Sequence, residues 1–563
     1  MKKYFEDFKN LIKTPLFSVP VFAAALLSFA WQLTRFNIGI DDVVRKRYFT
    51  GGLFAQGRFS GPVLSTLSGF VKPFPFFEPF FGVLFLIAAS FTLAILLRRA
   101  SKDGLPVPVL SFFASLFVSY PLIAEIFVYK GSDFYTGFGF FLSAVSLLVM
   151  DGIFSDRTTD GGNKKRFGTA GRIVVTAAIQ FFLVSLYESF AAVYLVLAGI
   201  YFFTCVYFRK NGGNTGACEK AENREKPCRL RDLLLLALPL VAGVVLEYLF
   251  GLAVNAIFDF GIPNYAANNI AIPENFSLGY VKDVLYLLFR RFFLAGGWYL
   301  PIAFFAAAFF ISVPIFIVCA VKKKSLAVVF AALGVYAGLF GIGLLVGGSV
   351  KYRTCVSLAP FAAFFIAFLF HVLTRSLKKN AGKIVAAVLA AVLVLSQCAA
   401  MNYAFDSNEL RWREEKTVLT ACAETLTKGG YDVENKPVIF IGEYRLSDEV
   451  LSRKYVRSDD PLYVFVKKAA NKAGFNLATT DLDETFVLET CMAGFGSVIT
   501  WGVFDAYSCN EGLLLVFDHL GYRFIQGTAE RYEELSKEEE KYPVFNETGE
   551  ITELEDVIVV RFG

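Results

Sequence analysis

Apolar runs of about twenty residues recur along most of this chain, and no other feature limits its fold so strongly. Leu16–Phe36 is the first. A helix needs roughly 20 apolar residues to cross a bilayer, and hydrophobic residues make up 55% of the sequence. The mean hydropathy is +0.53. Charged residues are 19%, below the roughly 25% of an average soluble protein. These values exclude an ordinary soluble fold and predict a polytopic α-helical membrane protein.

The expected crossings are Leu16–Phe36, Pro79–Leu97, Val107–Ile123, Phe134–Met150, two within Ile173–Phe208, then Asp232–Leu252, Trp298–Val321, Leu326–Gly347, Val356–Leu373 and Ile384–Met401. Ile173–Phe208 is too long for one crossing and is divided at Tyr187-Glu188, its charged point. Tyr280–Leu294 reads as an interfacial helix. Leu16–Phe36 is too long for a signal-peptide core and is read as retained.

About eleven crossings result. Basic residues close nearly every inward crossing, among them Arg98, Arg99, Lys322 to Lys324 and Arg375. The positive-inside rule then predicts a multi-pass protein of the cytoplasmic membrane with its N-terminus in the cytoplasm. An odd count puts the C-terminal tail outside. The tail alternates helical and β-type stretches, including Pro437–Gly442, Tyr522–Ile525 and Val557–Phe562, and predicts a small extracytoplasmic α/β domain. The expected division is 1–404 for the transmembrane part and 405–563 for the tail.

The net charge of +5 is small and lies mainly in short loops, which argues against nucleic acid as a partner. Two histidines and nine cysteines form no pattern with metal-ligand spacing, so no metal site is predicted from them. Charges do cluster on the outer side, against the topological trend. Asp41 and Asp42 follow the first crossing, with Arg58 in the same loop. Glu125 and Lys130 lie at the outer end of the third crossing, near Asp133. Tyr187 and Glu188 occupy the next, and Lys351 and Arg353 the turn before the tenth crossing.

A carboxylate suits a general base, and arginine suits bidentate phosphate contact. The structural alternatives are an aspartate N-cap, interfacial anchoring by the glutamates, and lipid-headgroup contact by the cations. The glycines of Gly338–Gly348 read as a helix-packing face rather than a phosphate loop. With no nucleotide-binding motif, an enzyme on this side needs an activated substrate carried by lipid.

The chain resembles the serotype-converting glucosyltransferase II type of membrane glycosyltransferase, in the GT-C class. The resemblance lies in IDDVVRKRYFTGGLFAQGRFSGPVLSTL, YPLIAEIFVYKGSDFYTGFGFFLSAV, VSLYESFAAVYL and SVKYRTCVSLAPF, with KPVIFIG and KYPVFNETGEITELEDVIVVRF in the tail. It implies transfer of a hexose, usually glucose, from a polyprenyl-phosphate donor to a cell-surface glycan. The aspartate pair of the class maps onto Asp41 and Asp42. Arg58, Lys351 and Arg353 are the expected holders of the donor phosphate. The family tends to have Tyr-Gln where this chain has Tyr187-Glu188. Residues and resemblance require no cofactor and leave a divalent cation open. A lipid-linked glycan flippase, and a glycan polymerase or ligase, are the alternative functions. The tail is expected to form a lid or an acceptor platform.

Overall fold

A computed structural model describes the chain apart from residues 1, 36, 40–41, 43–56, 69–75, 129, 156–161, 209–228, 259–277, 290–299, 347–353, 378–379, 448–449, 451–467, 469–496 and 504–508. Among the described residues, eleven helices are long and apolar enough to cross a membrane. They are Pro15–Thr34, Phe77–Ala100, Val107–Phe127, Ser132–Ile153, Gly168–Leu186, Ser189–Tyr207, Leu230–Phe258, Phe304–Lys323, Leu326–Leu345, Leu358–Ser376 and Asn380–Lys428. The protein is a helical multi-span membrane protein with a small C-terminal α/β unit, as the sequence predicts. The division of Ile173–Phe208 falls where expected, since one helix ends at Leu186 and the next starts at Ser189.

Two crossings depart from expectation. The third is broken: a helix Val107–Val118 is followed by a 3-10 turn Pro121–Ile123 and a short helix Ala124–Phe127. Pro121 has no N–H to donate and pushes the preceding residue out of the helical region, and Tyr120 is extended. The eleventh does not stop at the membrane surface. Asn380–Lys428 is one continuous helix of 49 residues, running on from the predicted crossing Ile384–Met401 into the tail. At 1.5 Å per residue such a helix is roughly 70 Å long, more than twice a hydrocarbon core. The expected division at 404/405 lies inside it.

The first and last spans lie side by side and run the same way, as an odd number of crossings requires. Cys398 Sγ contacts Ala24 O at 3.6 Å, Asn402 Nδ2 donates to Leu27 O at 2.5 Å, and Arg35 Nη1 lies 3.6 Å from Glu409 Oε1. The offset between partners stays near 374 residues along both helices. Gly338 packs as the sequence predicts: a Cβ there would lie 2.9 Å from Ala192 O, so the ninth and sixth spans meet almost backbone to backbone.

At the opposite face, the amphipathic helix Lys2–Ile12 is pinned to the bundle. Asp151 accepts from Tyr201 Oη at 2.6 Å and Tyr4 Oη at 2.5 Å, and Arg99 bridges Asp7 and Asp151 at 2.7 and 3.4 Å.

In the C-terminal unit, strands β1 (Pro437–Gly442), β2 (Ile525–Gln526), β3 (Thr552–Glu553) and β4 (Ile558–Phe562) form a sheet in the order β2-β1-β4-β3. β1 pairs in parallel with both neighbours, and β3 pairs antiparallel to β4. Val438 and Phe440 enter one buried cluster, Ile439 and Ile441 another. A strand covered on both faces reads as a continuous apolar run, which is why PVIFIG shows no alternation.

Asn510 ties this unit together. It sits in the left-handed region at φ 61°, where Asn is among the few non-glycine residues tolerated. Its amide exchanges two 3.0 Å hydrogen bonds with the Phe440 backbone and donates to Val503 O at 3.1 Å. Replacing Asn510 with Ala strands these groups in the core, at a cost of about 2–4 kcal/mol. The C-terminal unit of the N510A protein is expected to lose protease resistance at a lower temperature than wild type. An unchanged proteolysis midpoint contradicts this role.

Candidate functional site

Successive spans alternate in direction, so the ends carrying the predicted charges share the face that carries the C-terminal unit. Direct contacts agree. Gln32, at the end of the first span, hydrogen-bonds Phe127 O at the end of the third. Phe29 packs 5.0 Å from Phe127 and 6.1 Å from Phe405, centroid to centroid.

The loop after the first span is held by the last helix. Arg411 is 1% exposed and its guanidinium is fully engaged. Nη2 donates to Ile38 O at 2.5 Å, Nε and Nη2 reach Asn408 Oδ1 at 3.1 and 3.0 Å, and Nη1 pairs with Glu415. Glu415 accepts in turn from Ser497 Oγ at 2.9 Å and Ile499 N at 3.0 Å in the C-terminal unit. Burial drives the Glu415 carboxyl upward, and Arg411 with the backbone N–H of Ile499 opposes that shift. Ile38 itself belongs to the hydrophobic core of the C-terminal unit.

One turn further, the Asp42 carboxylate accepts from Gly39 N at 2.9 Å, while Asp42 N donates to Gly39 O at 3.1 Å. This closed turn fixes where the aspartate pair begins. Asp41, Lys351 and Arg353, with the side chain of Lys130, lie outside the described residues. Glu125 is 1% and Asp133 0% exposed, so neither is a surface anchor.

Arg58 and Tyr187-Glu188, read from the sequence as separate clusters, form one. Arg58 Nε and Nη2 fork onto Glu188 at 3.3 and 3.2 Å, and the guanidinium lies 4.9 Å from the Tyr187 ring centroid. The segment is seated by Phe59, which packs edge-on to Phe250 at 4.9 Å, and by a hydrogen bond between Ser60 and Ser185. Glu247 of the seventh span completes the cluster. Gly57 has φ +75°, and a Cβ there would lie 3.2 Å from Glu247 Oε1, so this glycine meets both a backbone and a space requirement. The arrangement is an arginine stacked on a tyrosine and forked onto one carboxylate, with a second carboxylate, Glu247, against Gly57.

Sequence reasoning passed over Glu247, although a lone carboxylate in the apolar run GVVLEYLFG was a usable signal. The i,i+4 spacing of Arg411 and Glu415 was visible, but not their burial. Among the described residues, no three His, Cys, Asp or Glu side chains converge as a metal-binding group.

Eleven candidate crossings among the described residues, with the Arg411 anchor and the Arg58 cluster on one face, define a polytopic membrane protein. The chain matches the Glucosyl transferase GtrII family over residues 30–372, more than half its length, and it belongs to that family. It is a membrane glycosyltransferase. The match takes in Asp42 and the Arg58, Glu188 and Glu247 cluster, and ends short of Arg411, the last span and the α/β unit.

Among solved structures, the chain is similar to ArnT from Cupriavidus metallidurans bound to undecaprenyl phosphate, with 14% identity, a TM-score of 0.40, and coverage of 81% of this chain and 88% of that one. It is also similar to the oligosaccharyltransferase AglB from Archaeoglobus fulgidus in complex with an inhibitory peptide and a dolichol-phosphate. There the identity is 12%, the TM-score 0.38, and the coverage 79% of this chain and 64% of that one. No curated protein matches the chain.

Removing one partner of a buried ion pair costs about 3–5 kcal/mol, while replacing both with apolar groups is often neutral. Arg411→Ala or Glu415→Ala is therefore expected to lower thermal stability sharply, and the double variant R411M/E415L to recover most of it. The double variant still lacks the Ile38 contact, so its transferase activity stays low. Recovery of full activity along with stability contradicts a role for Arg411 in holding the loop.

Proposed function

We propose that the protein transfers a hexose, glucose in the first instance, from a polyprenyl-phosphate carrier to a cell-surface glycan. The site faces the outer side of the cytoplasmic membrane, with the N-terminus inside and residues 405–563 outside. Family membership supports the reaction class. The observation that carries the assignment of the site is the anchoring of the Asn37–Asp42 loop between the membrane helices and the C-terminal unit through Arg411. A lipid-borne donor and a bulky external acceptor meet only at such a boundary.

In this reading Asp41 is the general base, because the Asp42 carboxylate is committed to the Gly39 N–H. Asp41 takes the proton from the acceptor hydroxyl as its oxygen attacks the anomeric carbon. The bond from that carbon to the phosphate oxygen breaks on the opposite side, so the anomeric configuration inverts and polyprenyl phosphate leaves. Arg58, Lys351 and Arg353 stabilise the charge that grows on the leaving phosphate. Arg58 reaches it by exchanging a Glu188 oxygen for a phosphate oxygen. Glu125, Lys130, Tyr187 and Glu188 line and position the site.

Loss of a positioned base costs about 10²–10⁴ in rate. Asp41→Asn is expected to lose that much turnover in membranes supplied with a polyprenyl-phosphate sugar. Asp42→Asn keeps an oxygen for Gly39 and loses less. Wild-type turnover in both, or the larger loss in D42N, overturns the assignment.

Glu188→Gln removes the competing charge on Arg58, and exposed pairs of this kind are worth up to about 1 kcal/mol. The donor KM is expected to fall by up to about fivefold with kcat unchanged. A raised donor KM shows instead that Glu188 is needed to present Arg58.

A further inference from the structure

The C-terminal unit carries a groove that the transfer chemistry leaves unused. It is lined by Trp412, Lys416, Thr420, His519, Leu520 and Tyr522, with a volume of about 410 Å³, within the ~300–1,000 Å³ typical of ligand sites. One wall is the extended last helix, on which Trp412, Lys416 and Thr420 recur every four residues and so share a face. The other is the end of the helix Glu511–His519 and the turn after it. That turn is closed by Gly521 at φ +94° and by Tyr522 N donating to Phe517 O at 2.8 Å, so the wall is preformed.

The lining is rich in donors. Trp412 is 4% exposed, and among the described residues its indole N–H has no acceptor. Lys416 has no ion-pair partner among the described residues. Nearby carboxylates are engaged elsewhere: Asp518 with Arg523 at 2.9 Å, Glu415 with Arg411, and Glu414 with Tyr444 and Ser447. Burial and the Lys416 ammonium push His519 below the ordinary imidazole value, so Lys416 carries the groove's positive charge at neutral pH. The partly buried Tyr522 ring offers an apolar face beside these donors. A flat apolar face, hydrogen-bond donors and one unmatched cation together fit a saccharide bearing an acidic group.

Position favours a glycan over a lipid headgroup. Trp412 to Thr420 lie 11 to 19 residues past Met401, where the apolar run ends, and at 1.5 Å per residue that is roughly 15–30 Å along the helix. Trp412 also adjoins Arg411, which holds the Ile38 carbonyl, so one end of the groove abuts the anchor of the aspartate loop.

We propose that this groove binds the acceptor glycan, seating a sugar ring against Tyr522, a hydroxyl on the Trp412 N–H and an acidic group on Lys416. The proposal rests on the glycosyltransferase reading and names where the acceptor is held.

The test is a binding measurement that does not depend on turnover. Full-length protein in nanodiscs is titrated calorimetrically with trigalacturonate and with maltotriose, for wild type, Lys416→Gln and Tyr522→Phe. Thermal unfolding confirms that each variant is folded. A hydrogen bond to a charged group is worth about a factor of ten or more. Wild type is expected to bind trigalacturonate at least about tenfold more tightly than maltotriose, and K416Q to lose that preference. Y522F, which keeps the ring face, is expected to retain the preference for trigalacturonate. Equal affinity for the two sugars, or an unchanged preference in K416Q, overturns the proposal. So does binding of phosphatidylglycerol vesicles that depends on Lys416 when neither sugar binds. Failure of the underlying reading is seen separately, as absence of sugar transfer by the wild-type protein.

Discussion

The Arg411 guanidinium joins three parts of the molecule: the loop after the first span, the last helix and the C-terminal unit. Its charge is out of water, so its donors must all be matched, and the matches come from different places. Ile38 supplies a carbonyl from the loop after the first span, Asn408 an amide oxygen from its own helix, and Glu415 the counter-charge. Glu415 in turn is held by Ser497 and Ile499 of the C-terminal unit. A buried pair of this kind adds little net stability but is costly to break. It specifies an arrangement: the Asp42 turn is anchored to a rigid helix rather than left on a mobile loop.

The same helix accounts for the placement of the α/β unit. A 49-residue helix with its first half packed along the first span and its second half in the core of the unit leaves no hinge between them. Arg58, Tyr187, Glu188 and Glu247 then gather on the same face through contacts among the loop after the first span, the fifth-to-sixth turn and the seventh span. An ion pair near a bilayer is a candidate functional group by default, and Arg58 with Glu188 is such a pair.

Much of this frame was legible in the sequence because bilayer thickness imposes a length on each apolar run. The number of spans, the division at Tyr187-Glu188 and the buried strand Pro437–Gly442 all follow from that length or from apolar continuity. Other features depend on partners far away in the chain. Nothing local marks Arg58 for Glu188, 130 residues on, or Ile38 for Arg411. The polar run between Met401 and Glu409 resembles a loop, yet Ser407, Asn408 and Glu409 are buried and helical, because the first span and its loop cover them. Tyr522 was read as part of a strand, but pairing begins only at Ile525. The turn at Gly521 that displaces it shows in composition only as a glycine.

The most direct measurement is sugar transfer by the purified protein in detergent micelles. The reactants are a polyprenyl-phosphate hexose and the surface glycan of a strain lacking this protein, with products identified by mass spectrometry. The account predicts addition of single hexose units with inverted anomeric configuration and release of polyprenyl phosphate in equal amount. A flippase has nothing to do without two membrane faces, and a polymerase or ligase adds blocks. No transfer in micelles alongside lipid-linked glycan movement in vesicles, or products extended by oligosaccharide blocks, contradicts it.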